Sequence, residues 1–321
     1  MLINKTKRTF AITAALQLIL FLSMITAQVT VCFSADVTPA DKRAYLAALK
    51  DAEVTEQNEI SRRLLAVVAE QDRVNLGILS GDSIVWEGEP GASRVLVATF
   101  MSRSSYDSYY KENLEQHQAE YILKKSLWVT VIPEVKNFFI RKNAFSQCPP
   151  SAKRVEQLLG LNPGYDYEVL LEMWVDQKAL FRPSPDPEIT DHEAEIATII
   201  ADNNWTFPCD INPFLKLDDT VLVKESQWST TAVPYRTWFI NRAQTIYAVG
   251  NEDDPTTWGY PWTRLGYTYD WGNPVNHVGV SEFVLRIDPN VNGGEVTVTL
   301  ERAIDSATPE WNYYFRCESE N

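Results

Sequence analysis

The sequence predicts an α+β fold with N-terminal helices, a mixed or antiparallel sheet and a β-rich C-terminal region. Helical spacing of apolar residues is concentrated near residues 38–71, whereas the last 65 residues read as strands separated by turns. Helical and strand patterns elsewhere are intermixed without a regular βαβ alternation. That irregular order favours an α+β protein over a doubly wound α/β protein.

The first segment has the pattern of a secretory signal peptide. Residues 1–8 carry Lys5, Lys7 and Arg8 without an acidic residue, and residues 10–27 are almost wholly apolar. An uncleaved membrane anchor is the alternative, because about 18 apolar residues can just span a bilayer. We expect a signal peptide over residues 1–34, a secreted or periplasmic protein, and no stable membrane insertion after cleavage.

Two N-terminal helices follow in the prediction. Thr38 is a suitable N-cap and Pro39 suits the first helical position, so a helix is expected through residues 43–49. A second helix is expected over residues 56–71, where Ile60, Leu64 and Val68 are among the residues of an apolar stripe.

Strands then alternate with helices up to residue 147. Residues 83–87 and 93–100 are β-rich and flank a Glu-Pro-Gly turn, which predicts a hairpin. Residues 106–125 have helical spacing, and residues 127–132 form a nearly continuous apolar run that is typical of a buried strand. Residues 35–147 are taken as an N-terminal helical and hairpin part.

The second part, residues 148–321, either forms its own unit or continues the same domain. Ser151 can cap a short helix, and residues 166–176 predict a strand. A proline-rich loop then precedes a helix expected from Thr190 to about Ala201. Residues 237–249 fit either a helix or a strand. The final predicted strands cover residues 265–271, 279–286 and 295–300.

Composition excludes two classes of partner. The chain has 29 basic and 43 acidic residues, a net charge of −14, and therefore lacks the basic surface that nucleic acids or anionic lipids require. Of the four cysteines, Cys148, Cys209 and Cys317 follow the signal segment, with spacings unlike those of zinc sites. We expect one structural disulfide and one remaining thiol, with the pairing left open.

An acidic loop is the first candidate site. Asp186, Glu188 and Asp191 lie close together beside His192. Such carboxylates repel one another unless they are solvated, protonated or bound to a cation. They either favour the start of the following helix through its dipole, or bind calcium, or supply an acid or base. No other cofactor is expected.

An aromatic segment is the second candidate site. Six of the 24 Trp and Tyr residues fall within residues 258–271. Strand alternation puts Tyr267, Tyr269 and Trp271 on one face, and Arg264 and His277 are suited to an anionic group of a substrate. The alternative is that these rings pack in the core.

Two carboxylates accompany these rings. If the following strand pairs in antiparallel fashion, Asp270 and Glu282 meet at one end, as the acid and base of a glycoside hydrolase would. No GxSxG, HExxH, Walker or GxGxxG motif is present. The leading hypothesis is therefore an exported protein that binds a small polar ligand or glycan. A secreted hydrolase and a structural or interaction protein of the cell envelope are the alternatives.

Overall fold

A seven-stranded antiparallel sheet forms the centre of the fold. The computed structural model describes residues 37–55, 57–75, 83–117, 120–123, 125–140, 148–184, 187–194, 232–285 and 295–316. The sheet has the order β2-β9-β4-β1-β3-β8-β5, and β6 pairs with β7 in a separate hairpin. The strands are β1 Val95–Ser102, β2 Glu120–Leu123, β3 Leu127–Val131, β4 Tyr167–Val175, β5 Leu180–Phe181, β6 Tyr267–Tyr269, β7 Val278–Ser281, β8 Phe283–Leu285 and β9 Val296–Asp305.

Eight α-helices accompany the sheet in the described part of the chain. They are α1 Pro39–Ala52, α2 Glu70–Asn75, α3 Arg103–Tyr109, α4 Lys111–Glu115, α5 Glu134–Ile140, α6 Ala152–Leu158, α7 Ala232–Thr245 and α8 Pro309–Tyr314. Three 3₁₀ turns, Gln57–Glu59, Gln177–Ala179 and Pro255–Thr257, complete the list. The predicted α+β class is confirmed, with strands dominating the C-terminal half.

Strand β1 is central because both of its faces are apolar. Val97 and Met101 belong to one buried cluster, and Leu96 and Phe100 belong to another on the opposite face. Alternating side chains of a strand point to opposite faces, so a strand whose successive side chains are buried requires cover on both sides. β1 pairs along its length with β4. Because β1 precedes residue 147 and β4 follows it, both predicted parts of the chain contribute strands to one sheet.

Caps fix two helices where the sequence predicts them. The Thr38 hydroxyl accepts a hydrogen bond from the Asp41 amide at 3.1 Å, which starts α1. The Ser151 hydroxyl accepts from the Arg154 amide at 3.2 Å, which starts α6. Each cap satisfies an amide that has no partner within its helix.

The predicted helix over residues 56–71 is wrong. Leu64, Leu65, Ala66 and Val67 are all buried and lie outside any helix or strand. Their amides bond outside the segment, as in Leu64 N to His192 O at 2.9 Å and Val67 N to Ile189 O at 2.7 Å. Four consecutive apolar residues would place some side chains on the solvent side of a surface helix, whereas an extended segment between two layers buries all of them.

Two other helix predictions need correction. Residues 106–125 form the end of α3, then α4, and then the edge strand β2, which pairs with β9. Residues 190–194 are irregular rather than helical, and the remainder of that predicted helix lies outside the described residues. The ambiguous region 237–249 is resolved as the C-terminal part of α7 with a short following turn.

The predicted signal peptide lies outside the described residues. No described helix is both long and apolar enough for a bilayer span. Cys148 is disulfide-bonded, and Cys209 and Cys317 lie outside the described residues.

Candidate functional site

A cavity of about 510 Å³ lies against the central sheet. Ten of its 28 lining residues are aromatic, a share that is typical of sites that hold small organic molecules. The aromatic lining includes the rings of Tyr110, Tyr121, Trp128, Tyr167, Tyr260 and Trp262. Ligand-sized volume and aromatic walls make it the candidate binding site.

The cavity forms where two neighbouring strands separate. β1 and β3 are paired at Val97 with Val131 and at Ala98 with Thr130. Beyond these two positions β1 is paired with β4 and β3 with β8. Residues 98–102 of β1 and 127–130 of β3 both line the cavity. Tyr121 packs with the cluster on one face of the sheet, and Phe100 belongs to the cluster on the other. The cavity therefore extends between the strands rather than lying on one face.

Glu282 places a buried carboxyl group at this cavity. Its residue is 7% exposed, and its Oε1 atom has no hydrogen-bond partner. Burial raises the pKa of Glu282 well above its usual value, and the nearby Trp262 offsets only part of that rise. Burial therefore favours the protonated form of this carboxyl, whose O–H group is a hydrogen-bond donor.

This buried acid gives the protein a testable pH dependence. Since the pKa of Glu282 is higher in the folded state, the folded state holds a proton that the unfolded state releases above about pH 4.3. Stability is therefore lost as pH rises from that value towards the folded pKa, by about 1.4 kcal/mol per pH unit at most. Glu282→Gln should remove this contribution. From pH 5 to pH 8, the free energy of unfolding in urea should therefore fall less for the variant than for the wild type.

A second variant checks the cause of that gain. The Gln amide itself lowers the stability of the variant, because its N–H groups are buried. This loss is the same at both pH values, so it cancels when the two are compared. Glu282→Met lacks both the acid and the amide and should show the same relative gain. Equal pH dependence in the wild type and both variants would contradict a protonated Glu282.

Arg242 places a cation at the same cavity. It lies on α7, lines the cavity and is partly buried. Burial lowers the pKa of Arg242, and no described carboxylate forms an ion pair with it. An arginine remains charged under such conditions, and its guanidinium group is suited to carboxylates and phosphates. Arg242 thus gives the cavity a partly buried guanidinium group, and Glu282 gives it a carboxyl whose protonated form burial favours. The exposed Lys125 is a second basic residue of the lining.

Asp270 lies away from this cavity in a buried ion pair. Its two carboxylate oxygens accept from Arg154 Nη1 at 2.8 Å and Nη2 at 2.6 Å, and the Gly272 amide adds a third bond at 3.2 Å. Burial raises the pKa of Asp270, and the Arg154 guanidinium opposes that rise. Asp270 fastens the end of β6 to helix α6 and leaves no oxygen directed at a ligand.

The register of the β6–β7 hairpin separates Asp270 from Glu282. The Asp270 amide donates to His277 O at 2.7 Å, whereas the Glu282 amide donates to Gly266 O at 3.0 Å. Gly266 and Asp270 lie four residues apart, roughly 13 Å along a strand. A glycosidase pair lies roughly 5–9.5 Å apart, so the structure does not bring these two carboxylates together as one would need.

Arg264 caps a helix instead of facing a ligand. Its residue is fully buried, and Nη2 donates to Ala52 O at 3.1 Å, Glu53 O at 2.8 Å and Thr55 Oγ1 at 2.8 Å. The last carbonyls of a helix lack partners within it and carry partial negative charge. Arg264 therefore satisfies the C-terminal end of α1.

The aromatic segment packs mainly in the interior. Tyr267, Tyr269 and Trp271 are all buried, and each polar tip has a partner. Their hydrogen bonds run from Tyr267 Oη to Glu59 O at 2.8 Å, from Tyr269 Oη to Asp51 Oδ2 at 2.7 Å, and from Trp271 Nε1 to Leu161 O at 3.1 Å. Of the three, Tyr269 also lines the cavity.

His277 meets two carboxylates from the N-terminal part of the chain. Its Nδ1 lies 3.6 Å from Asp51 Oδ2, and its Nε2 lies 3.4 Å from Glu59 Oε1. One ligand atom from each of the three residues lies within 4.8 Å of the other two. Among the described His, Cys, Asp and Glu residues, this is the one group of three with such spacing. None of the three lines the cavity.

The acidic loop is organised by Arg182. The buried Arg182 side chain donates to Glu188 O at 3.1 Å and Asp191 O at 2.8 Å, so it holds the loop by its carbonyls. Burial and the Glu188 carboxyl together raise the pKa of Asp191 to about 7. The two carboxyls are thus close enough to share a proton, which relieves their repulsion without a cation. Asp186 lies outside the described residues.

Sequence reasoning did not find Arg242, Asp51 or Glu59. Arg242 lies in a segment whose secondary structure was ambiguous, Glu59 lies in a segment predicted as a helix, and Asp51 follows the predicted first helix without a motif of its own. No local pattern marks them, because their partners lie on β6, β7 and the neighbouring loops.

The fold and the cavity define an α+β protein with an aromatic site between two diverging strands. Comparisons with protein-family models, with curated proteins and with solved structures find no match to this chain.

Proposed function

We propose that this protein binds a small organic acid in the cavity between β1 and β3. The observation that carries the proposal is a pair of polar side chains, Arg242 and Glu282, that line an aromatic cavity without ion-pair partners among the described residues. Buried polar groups cost free energy unless they are paired, and a ligand that reaches both would supply the missing partners.

The chemistry of the walls restricts the ligand. The guanidinium donates hydrogen bonds, and so does Glu282 in the protonated form that burial favours, so the ligand offers acceptor oxygens. The guanidinium also favours a carboxylate over a neutral group. Trp128 and Trp262 are in edge-to-face contact, with centroids 5.8 Å apart, and offer apolar surface to the rest of the ligand. We therefore expect an acid with an apolar or aromatic body.

Tryptophan fluorescence tests the proposal, because Trp128 and Trp262 line the cavity. We expect saturable changes with phenylpropionate or octanoate and weaker or absent changes with the matching amides. Arg242→Met should weaken binding of the acids at least tenfold, because it removes the partly buried cation but keeps an apolar side chain of similar length, and the remaining cation, Lys125, is exposed. Arg63→Met is the matched control, because Arg63 is exposed and does not line the cavity, and it should bind as the wild type does.

Three results would contradict the proposal. Equal affinities for the acids and their matching amides would show that Arg242 does not bind a carboxylate. Saturation by mono- or disaccharides with no response to acids would favour a glycan ligand instead. No response to any of these probes would leave the cavity without a small-molecule role.

Hydrolysis is not proposed, because Glu282 has no second free carboxylate beside it among the described groups that line the cavity. Export of the chain stays a prediction from its first 34 residues, as does the absence of a nucleic-acid partner.

A further inference from the structure

Three metal-ligating side chains from distant parts of the chain converge beside the β6–β7 hairpin. Asp51 lies at the end of α1, Glu59 in the 3₁₀ turn Gln57–Glu59, and His277 just before β7. Each offers one ligand atom, and these atoms lie within 4.8 Å of one another. None of these three residues lines the aromatic cavity.

Neighbouring rings hold two of these side chains in place. The His277 ring stacks on Tyr269 with centroids 4.6 Å apart and planes 14° apart, which fixes its orientation. The Tyr269 hydroxyl donates to Asp51 Oδ2, and the Tyr267 hydroxyl donates to the backbone carbonyl of Glu59. Metal sites use such outer hydrogen bonds to orient their ligands.

We propose that Asp51, Glu59 and His277 bind a divalent transition-metal ion of the zinc type. One imidazole nitrogen with two carboxylate oxygens suits zinc better than calcium or magnesium, which favour oxygen ligands alone. Zinc takes nitrogen and oxygen ligands at about 2.0–2.2 Å, so the ligand atoms of a tetrahedral ion lie about 3.3–3.6 Å apart. The ligand atoms of these three residues lie within 4.8 Å of one another, so zinc binding draws the two carboxylates by about 1 Å toward one imidazole nitrogen.

The site is open on one side. The Asp51 side chain is 53% exposed, whereas those of His277 and Glu59 are 23% and 15% exposed. Solvent therefore reaches the point where the three ligand atoms meet, and the fourth position of a tetrahedral ion is left to water. The metal would link the N-terminal helix to the C-terminal hairpin.

The same atoms also fit a protonated histidine between two carboxylates, and metal titration separates the two arrangements. The full chain is stripped with a chelator and titrated at pH 7.5 with zinc chloride by calorimetry, and with cobalt chloride by visible absorption. We expect one ion per chain, a higher melting temperature on zinc addition, and cobalt bands in the visible range.

Matched variants assign the ion to this site. His277→Asn should weaken zinc binding at least tenfold, and His117→Asn, at an exposed histidine outside the cluster, should bind as the wild type does. Asp51→Asn is the second test, because its half-exposed side chain can be changed without disturbing the core. No saturable zinc binding by the wild type, or wild-type affinity in both His277→Asn and Asp51→Asn, would overturn the site.

Discussion

Asp270→Asn should destabilise the protein by about 3–5 kcal/mol, because it leaves the Arg154 guanidinium buried without its counter-ion. The carboxylate is fully buried and accepts two bonds from that one side chain. An amide of the same shape keeps the volume but accepts on one side only and brings N–H groups against the N–H groups of Arg154. Urea unfolding followed by circular dichroism measures the loss.

Two further variants test the cause of that loss. Arg154→Met combined with Asp270→Asn removes the unpaired charge and should be more stable than Asp270→Asn alone. Asp253→Asn, at a carboxylate that is 91% exposed and pairs with Lys42 on the surface, should unfold like the wild type. A double variant no more stable than Asp270→Asn would show that the ion pair is not the source of the loss.

Arg264→Met should destabilise the protein by about 1–3 kcal/mol for each buried acceptor left without a partner at the end of helix α1. The substitution keeps an apolar side chain but removes the donor to Ala52 O, Glu53 O and Thr55 Oγ1. Buried acceptors that lose their partner pay the full cost of desolvation, and charged donors are the most expensive to lose. Thermal unfolding and amide exchange of α1 measure the effect, and the exchange of α1 should accelerate most.

Arg63→Met is again the control for Arg264→Met, because the same chemical change at an exposed position should leave stability unchanged. A small loss at Arg264, with no change in α1, would mean that water replaces the guanidinium at the helix end. Neither Asp270 nor Arg264 lines the cavity. A loss of ligand binding in their variants would therefore reflect a loss of folded protein, and folding is measured before binding.

The β6–β7 region shows why residue types alone did not locate the site. Arg264, Asp270 and His277 are typical of substrate-binding residues, and their spacing suits a ligand. Their partners are Ala52, Arg154 and Asp51, which lie 116 to 226 positions away in the chain. Only the packing of α1 and α6 against the hairpin turns two of them into structural links and places the third beside two acids.

Glu282 shows the complementary case. The sequence singles it out as a carboxylate beside an aromatic segment, and the structure places it at the cavity wall. The environment changes its chemistry, since burial raises its pKa and makes a donor of a residue expected to act as an acid or base with Asp270. The hairpin register, set by the Gly266 and His277 carbonyls, decides this separation.

The sequence by itself determined the α+β class, the caps of α1 and α6, and the buried strands β1, β3 and β4, because these depend on apolar periodicity and on side chains within a few residues. Tertiary structure alone decided that residues 64–67 are buried without forming a helix, that the pairing of β1 with β3 ends beside a cavity, and that Arg242 lines it. These features depend on which distant groups supply each hydrogen bond and cover each apolar surface, and local sequence carries no record of that choice.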